Sequence, residues 1–168
     1  MINVVLVEPE IPQNTGNIAR TCVAIGARLH IIKPIPFELS DKAVRRAGLD
    51  YWQYLDLEIH ESLDEFLEKY SYESLYFCTT KTDVLYTNVK YEGDIYLLFG
   101  PETRGLPENL MFGRLGDNDK KYFPNFKNDI EIKNGKAITI PMKGGIRSLN
   151  LSNAVAIIAY EAVRQMGI

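Results

Sequence analysis

The sequence predicts an α/β fold, a mostly parallel sheet flanked by helices, and three observations carry the prediction. Continuous apolar runs rich in β-branched residues, Ile2–Val7 and Ile95–Phe99 among them, suit strands buried on both faces. Segments of helical period alternate with these runs, the pattern of a parallel sheet. Three loops, Cys78–Lys81, Gly100–Gly105 and Met142–Asn150, stand out by composition beyond the strands. Such sheets take ligands at the carboxyl ends of their strands.

The elements follow in order. After the first strand, Pro9 and Pro12 hold the chain extended, and Asn14 or Thr15 can cap a helix with the stripe Ile18, Cys22 and Ile25. Gly26 ends it. Arg28–Lys33 is a second strand, closed by a Pro34/Pro36 turn. Ser40-Asp41 opens a helix through Val44 to Ala47, whose Lys42, Arg45 and Arg46 read first as a solvated face and otherwise as phosphate contacts. Leu55–His60 reads as a strand, and Ser62 with Glu65 forms a capping box for Leu63–Tyr70. Leu75–Thr79 is the next strand. Ile95–Phe99 runs straight into Gly100–Pro107, and a short helix fits Glu108–Arg114.

Asn134-Gly135 signals a hairpin between Ile130–Lys133 and Lys136–Ile140, because both central residues of that turn need positive φ. Ile138–Pro141 is a short strand, Met142–Asn150 a loop, and the rest a long helix with Asn150 or Ser152 as cap and Gly167 as stop. Ala154, Val155, Ala156, Ile157, Ile158, Ala159, Ala162 and Val163 make this helix apolar on nearly every face, so it needs cover on more than one side.

At 168 residues the chain is most simply one domain, 1–168, with 46% hydrophobic and 24% charged residues. A net charge of −3 argues against a uniformly basic coat and leaves room for a local basic patch. No apolar run reaches the roughly 20 residues needed to span a bilayer. The start, MINVVLVEPE, reads as a strand and not a targeting peptide, so a soluble cytoplasmic protein is expected. Cys22 and Cys78 sit in apolar stretches, and His30 and His60 lie singly, which gives no metal-ligand spacing. No metal and no membrane are therefore expected. There is no GxGxxG, no Walker loop and no GxSxG elbow, so familiar dinucleotide, phosphate-loop and hydrolase chemistry has little support.

Three stretches in order resemble the motifs of the SPOUT, or trefoil-knot, RNA 2′-O-methyltransferases. They are Pro12–Arg20 (PQNTGNIAR), Leu98–Pro107 (LFGPETRGLP), and Ile140–Met142 with Ser148–Ala154 (IPM, SLNLSNA). EPEIPQNTGNIAR, LHIIKP, RRAGLDYW, TTK and YEAVRQ are similar to the small single-domain branch that methylates the wobble nucleotide of tRNA, a cytidine or modified uridine.

The resemblance implies a C-terminal deep trefoil knot, an exception to unknotted connection. It also implies a pocket for S-adenosyl-L-methionine. Cys78 and Thr79 would end a strand against the adenosine, and Gly100 would let the backbone approach the ligand. Ile140 and Met142 would offer backbone contacts to the adenine, with Ser148 and Leu149 closing the methionine side. Among catalytic residues it implies Arg20, positioned by Asn14, with Glu102, Ser148 and Asn150 holding loops and ribose. Arg20 as base is awkward, since a guanidinium does not give up its proton in a protein. Its alternative task is to orient phosphate and ribose.

The tRNA anticodon stem-loop would be met by Lys81, Arg104 and Arg147, extended by Arg45 and Arg46. Tyr160 reads first as a core or interface residue and second as an RNA contact. A homodimer is expected on the long helix, through Val155, Ile158, Ala159 and Ala162, with Ile18, Cys22 and Ile25 of the first helix contributing. Relative to minimal family members, 113–137 reads as an inserted loop or hairpin. Other readings are methylation of another tRNA or rRNA nucleotide, a non-catalytic knotted RNA-binding dimer, and an unrelated nucleotide-binding enzyme.

Overall fold

The structure, a computed structural model, describes residues 1–48, 51–113, 116 and 119–168. Six strands form one all-parallel sheet in the order β3-β2-β1-β5-β4-β6. They are β1 (Ile2–Val7), β2 (Arg28–Ile32), β3 (Leu57–His60), β4 (Ser74–Cys78), β5 (Ile95–Phe99) and β6 (Asn134–Ile138). The helices are α1 (Pro12–Ile25), α2 (Lys42–Gly48), α3 (Leu63–Tyr70), α4 (Glu108–Phe112), α5 (Asp119–Tyr122) and α6 (Leu151–Met166), with a 3-10 turn at Trp52–Tyr54.

Alternation along β1 explains why all six of its residues are buried. Val4 and Leu6 face a core completed by Ile18 and Cys22 of α1 and by Val155, Ile158, Ala159 and Ala162 of α6. Val5 and Val7 face the opposite core, with Phe66 and Leu67 of α3 and Leu110 of α4. The central strands read as unbroken apolar runs because both faces are covered. The strand order reverses between β1 and β5.

The expected hairpin does not form. Asn134 and Gly135 open β6, which pairs in parallel with β4, Gly135 opposite Leu75, and neither has the positive φ a hairpin turn requires. Glycine serves there for close approach: a Cβ on Gly135 would fall 2.7 Å from the Phe77 ring. The strand expected at Ile138–Pro141 accordingly ends at Ile138, leaving Thr139 in a single bridge to Leu85. Of the segment 113–137, the described part holds α5 and most of the edge strand β6.

Helix α1 starts at Pro12, with Ile11 at the cap position and no side-chain cap, so Asn14 and Thr15 are not its caps but buried residues inside it. Proline brings no N–H to the first turn and is suited to that place. Asn150 caps α6, its side chain accepting from the Ser152 N–H at 2.9 Å, and Gly167 closes the helix at φ 71°. The expected extension of α4 to Arg114 lies outside the described residues, as do Leu49 and Asp50. None of the described helices is long and apolar enough to cross a membrane.

Candidate active site

A cavity of about 280 Å³ lies at the carboxyl ends of β4, β5 and β6. The loops that follow the three strands wall it. From the first come Cys78, Thr79 and Lys81, from the second Gly100, Glu102 and Arg104, and from the third Ile140, Met142, Arg147, Ser148 and Leu149. Every residue expected to touch the cofactor thus lines one space, together with three of the expected RNA contacts. Phe99, Leu106, Ile138, Leu151 and Ile158 add an apolar wall. Among the described residues, no hydrogen bond engages the Ile140 or Met142 N–H, which leaves donors on that wall. A slot with an apolar wall and spare backbone donors suits a purine and its ribose.

The second loop is tightly folded. A Cβ on Gly100 would fall 2.2 Å from the Gly105 carbonyl carbon and 2.4 Å from the Leu106 nitrogen. Its glycine is therefore required by the loop's own backbone, a different reason from the expected approach of a ligand. Gly105, at φ 69°, lets the loop turn back.

Glu102 ties this loop to the start of α1. Its carboxylate accepts from the Glu10 N–H at 2.7 Å, the Ile11 N–H at 3.1 Å and the Asn14 amide at 3.3 Å. Glu10 answers from the other side, accepting from the Thr103 N–H at 2.9 Å and hydroxyl at 2.7 Å. Glu102 was expected at the site and Glu10 was not, although the acidic residues beside Pro9 were a signal that something had to receive them.

Asn14 does not position Arg20. Six residues, about one and two-thirds helical turns, put the two on different faces. Asn14 is buried against Glu102, while Arg20 is exposed on α1 with its Nη2 3.4 Å from the Tyr51 hydroxyl and its Cζ 4.8 Å from that ring's centre. Arg20 does not line its own chain's cavity, nor do Asn14, Asn150, Arg45, Arg46 and Tyr160. Asn150 spends its side-chain oxygen on Ser152, accepting also from the hydroxyl at 2.6 Å.

The basic residues divide. Arg104 is largely engaged within the fold: it donates to the Tyr122 carbonyl at 2.7 Å, lies 3.5 Å from Glu8 and sits against the Phe123 ring. Arg104 still lines the cavity, so these contacts fix the orientation of its guanidinium. Lys81 donates to Glu108 at 2.7 Å at an exposed position, and Arg147 is exposed. Arg45 sits against Trp52, 4.5 Å from the ring centre, and Arg46 is exposed. Burial pushes the Cys78 thiol well above its ordinary range and Cys22 up to about 12, so neither offers a thiolate nucleophile. Burial also raises the Glu8 carboxyl against the pull of Arg104.

His30 and His60, far apart in sequence, meet because β2 pairs with β3. With Glu58 their ligand atoms lie within 4.8 Å of one another, a grouping the expectation of two single histidines missed. Their geometry is that of a hydrogen-bond chain. Asn3 donates its amide to the Ile95 carbonyl at 3.1 Å, so its oxygen accepts from His30 Nε2 at 3.1 Å, and His30 Nδ1 then accepts from His60 Nε2 at 3.1 Å. The rings are nearly coplanar, 13° apart, and their 5.4 Å separation is what two imidazoles meeting edge to edge require. Lone pair and N–H point along one line, and a metal off that line would not meet both nitrogens squarely. Burial works to raise the Glu58 carboxyl, but hydrogen bonds from Lys69 and Tyr70 outweigh it and the carboxyl is lowered.

An all-parallel sheet whose order reverses beside a cavity of this kind is the architecture of α/β proteins that bind a nucleotide or cofactor at their strand ends. The chain belongs to the SpoU rRNA Methylase family, whose model matches residues 1–112. It is 43% identical to the tRNA (cytidine(34)-2'-O)-methyltransferase of Escherichia coli (strain K12), the match covering 99% of this chain and 95% of that one. A structure solved for the 2-OH methylation of C/U34 on tRNA superposes with a TM-score of 0.80 at 40% identity, over 98% of this chain and 95% of that one. The SpoU methyltransferase AviRb from Streptomyces viridochromogenes, in complex with the cofactor AdoMet, superposes at 0.75 with 25% identity, over 97% of this chain and 59% of that one.

Proposed function

We propose that this chain is an S-adenosylmethionine-dependent methyltransferase acting on the ribose 2′-hydroxyl of the wobble nucleotide of tRNA, in the cytoplasm. The observation that carries the reading is the convergence of three motif loops on one cavity at the strand ends. The identity of close relatives as tRNA (cytidine(34)-2'-O)-methyltransferases supports the substrate. The cavity suits the cofactor: apolar side chains for the adenine, free N–H groups at Ile140 and Met142, and polar Ser148 at the open end.

When bound, the cofactor supplies a methyl group on a sulfonium. The new O–C bond forms as the C–S bond breaks, and the hydroxyl proton leaves. Positive charge disperses in this displacement, so alignment of oxygen, methyl and sulfur is the larger requirement. The chain's part is to hold the loop walls through Glu102 and Glu10, and to orient ribose and phosphate through Arg20. Arg20 acts as a fixed cation and not as the base, since a guanidinium is a donor only. The return of the chain from the edge strand β6 to α6, packed beside β1 and β5, is consistent with a knotted C-terminus.

Because Arg20 stands away from its own cavity, we infer a homodimer in which one protomer's Arg20 serves its partner's pocket. The stripe first expected at the interface, Val155, Ile158, Ala159 and Ala162, is buried in the chain's own core, as are Ile18 and Cys22. The apolar surface that α6 leaves open is Ile157, 37% exposed, and Tyr160, 52% exposed. Ile157→Glu should yield a folded, inactive monomer in sedimentation. A wild-type protein that is monomeric at micromolar concentration and fully active would refute the dimer.

Mass spectrometry of nucleosides from bulk tRNA, with and without the protein, tests the reaction and substrate. Loss of one 2′-O-methylated anticodon nucleotide is the expected result. Loss of a methyl elsewhere in tRNA or rRNA would move the substrate and keep the chemistry, and an unchanged profile would overturn both.

A further inference from the structure

Arg20 is held by a residue that none of the three motifs includes. Tyr51 lies just before the 3-10 turn Trp52–Tyr54, which packs on α1, the helix that carries Arg20. The guanidinium meets this tyrosine twice, through its ring at 4.8 Å from the centre and through its hydroxyl at 3.4 Å from Nη2. An exposed arginine without such a contact explores many rotamers, and fixing one of them costs entropy at the moment of reaction. A ring against the guanidinium bears that cost beforehand while leaving other N–H donors for a ribose or phosphate oxygen.

We propose that Tyr51 is a positioning residue for methyl transfer: ring and hydroxyl hold the Arg20 guanidinium in the orientation from which it meets the substrate. This rests on the role of Arg20 in the proposed function. Tyr51 stands outside the cofactor cavity, so its influence falls on the rate of transfer and not on cofactor affinity. Its aromatic face matters more than its hydroxyl, which makes only a long contact to Nη2.

Single-turnover transfer from tritiated S-adenosylmethionine to bulk tRNA from cells lacking this protein tests the proposal, with enzyme in excess. Tyr51→Leu should slow transfer roughly three- to fivefold, the scale of an exposed cation–π contact. Cofactor affinity and melting temperature should stay at their wild-type values. Tyr51→Phe, which keeps the ring, should retain most of the rate. Tyr51→Gln provides the same comparison should the leucine variant fail to fold. In an Arg20→Ala background, which removes the cation, the Tyr51→Leu effect on the residual rate should vanish. A wild-type rate for both Tyr51→Leu and Tyr51→Gln, or an undiminished effect in the Arg20→Ala background, overturns the proposal. If Arg20→Ala is inactive while those Tyr51 variants are at wild type, this inference alone fails. If Arg20→Ala turns over normally, the reading of Arg20 fails with it.

Discussion

Two polar clusters of this molecule are built on opposite plans. At the carboxyl ends of β4, β5 and β6, side chains and backbone donors face an open cavity, with Arg147 and Ser148 exposed. Across β1, β2 and β3, Asn3, His30 and His60 are closed in the core and satisfy one another in a chain that ends on the Ile95 carbonyl. The first cluster leaves groups for a ligand, and the second spends the Asn3 amide, both His30 nitrogens and His60 Nε2 inside the core. A buried polar network of this kind is costly when one member is lost, whereas an open one is costly only to the reaction it serves.

Substitutions should therefore separate activity from stability. The largest effect is expected at Arg20, where alanine should lower turnover by at least about a hundredfold, with cofactor affinity by calorimetry and melting temperature unchanged. Turnover within about tenfold of wild type, roughly 1.4 kcal/mol of barrier, would break the assignment.

The reverse pattern is expected at His30. Alanine there leaves the Asn3 oxygen and His60 unpaired, and should cost on the order of 2–4 kcal/mol in denaturant unfolding while the folded fraction keeps its turnover. Burial lowers the His30 pKa to about 4 and also lowers that of His60. The unfolded chain takes up protons near pH 6.5 that the folded chain refuses until about pH 4. Stability is then fully present above the unfolded value and falls as pH drops between the two, by on the order of 3 kcal/mol for His30. Unfolding curves at neutral and acid pH should diverge for wild type and draw together for His30→Ala. Parallel pH dependence in the two proteins would remove the network from this account.

The smallest effect belongs to Arg45, which stands against Trp52 outside the cavity. Arg45→Ala should raise KM for tRNA by about threefold and flatten its salt dependence, leaving kcat in place. A fall in kcat with KM unchanged would put Arg45 in the reaction itself.

The open cluster was legible in the sequence and the closed one was not, for a physical reason. A ligand loop carries its signal locally, as in Gly100-Pro101-Glu102-Thr103-Arg104-Gly105, because a turn and its donors must be contiguous. The histidine chain depends on which strands become neighbours, and His30 and His60 acquire a relation only when β2 and β3 pair. Asn134-Gly135 failed in the opposite direction. Its local turn signal was overridden by parallel pairing with β4, where glycine makes room for Phe77. Asn14 and Arg20 shared a motif, and the helix between them turned one inward and the other out.

The placement of α6 has a consequence for how the chain is made. Ile2, Val4 and Leu6 are synthesised well before α6, yet the face they share with Leu97 and Phe99 is completed by Val155, Ile158, Ala159 and Ala162. A nascent chain emerging at about 5–20 residues per second holds that face uncovered for many seconds. No stop short of α6 yields a closed core, so a ribosome stalled before residue 151 would display a sticky half-sheet to chaperones and proteases.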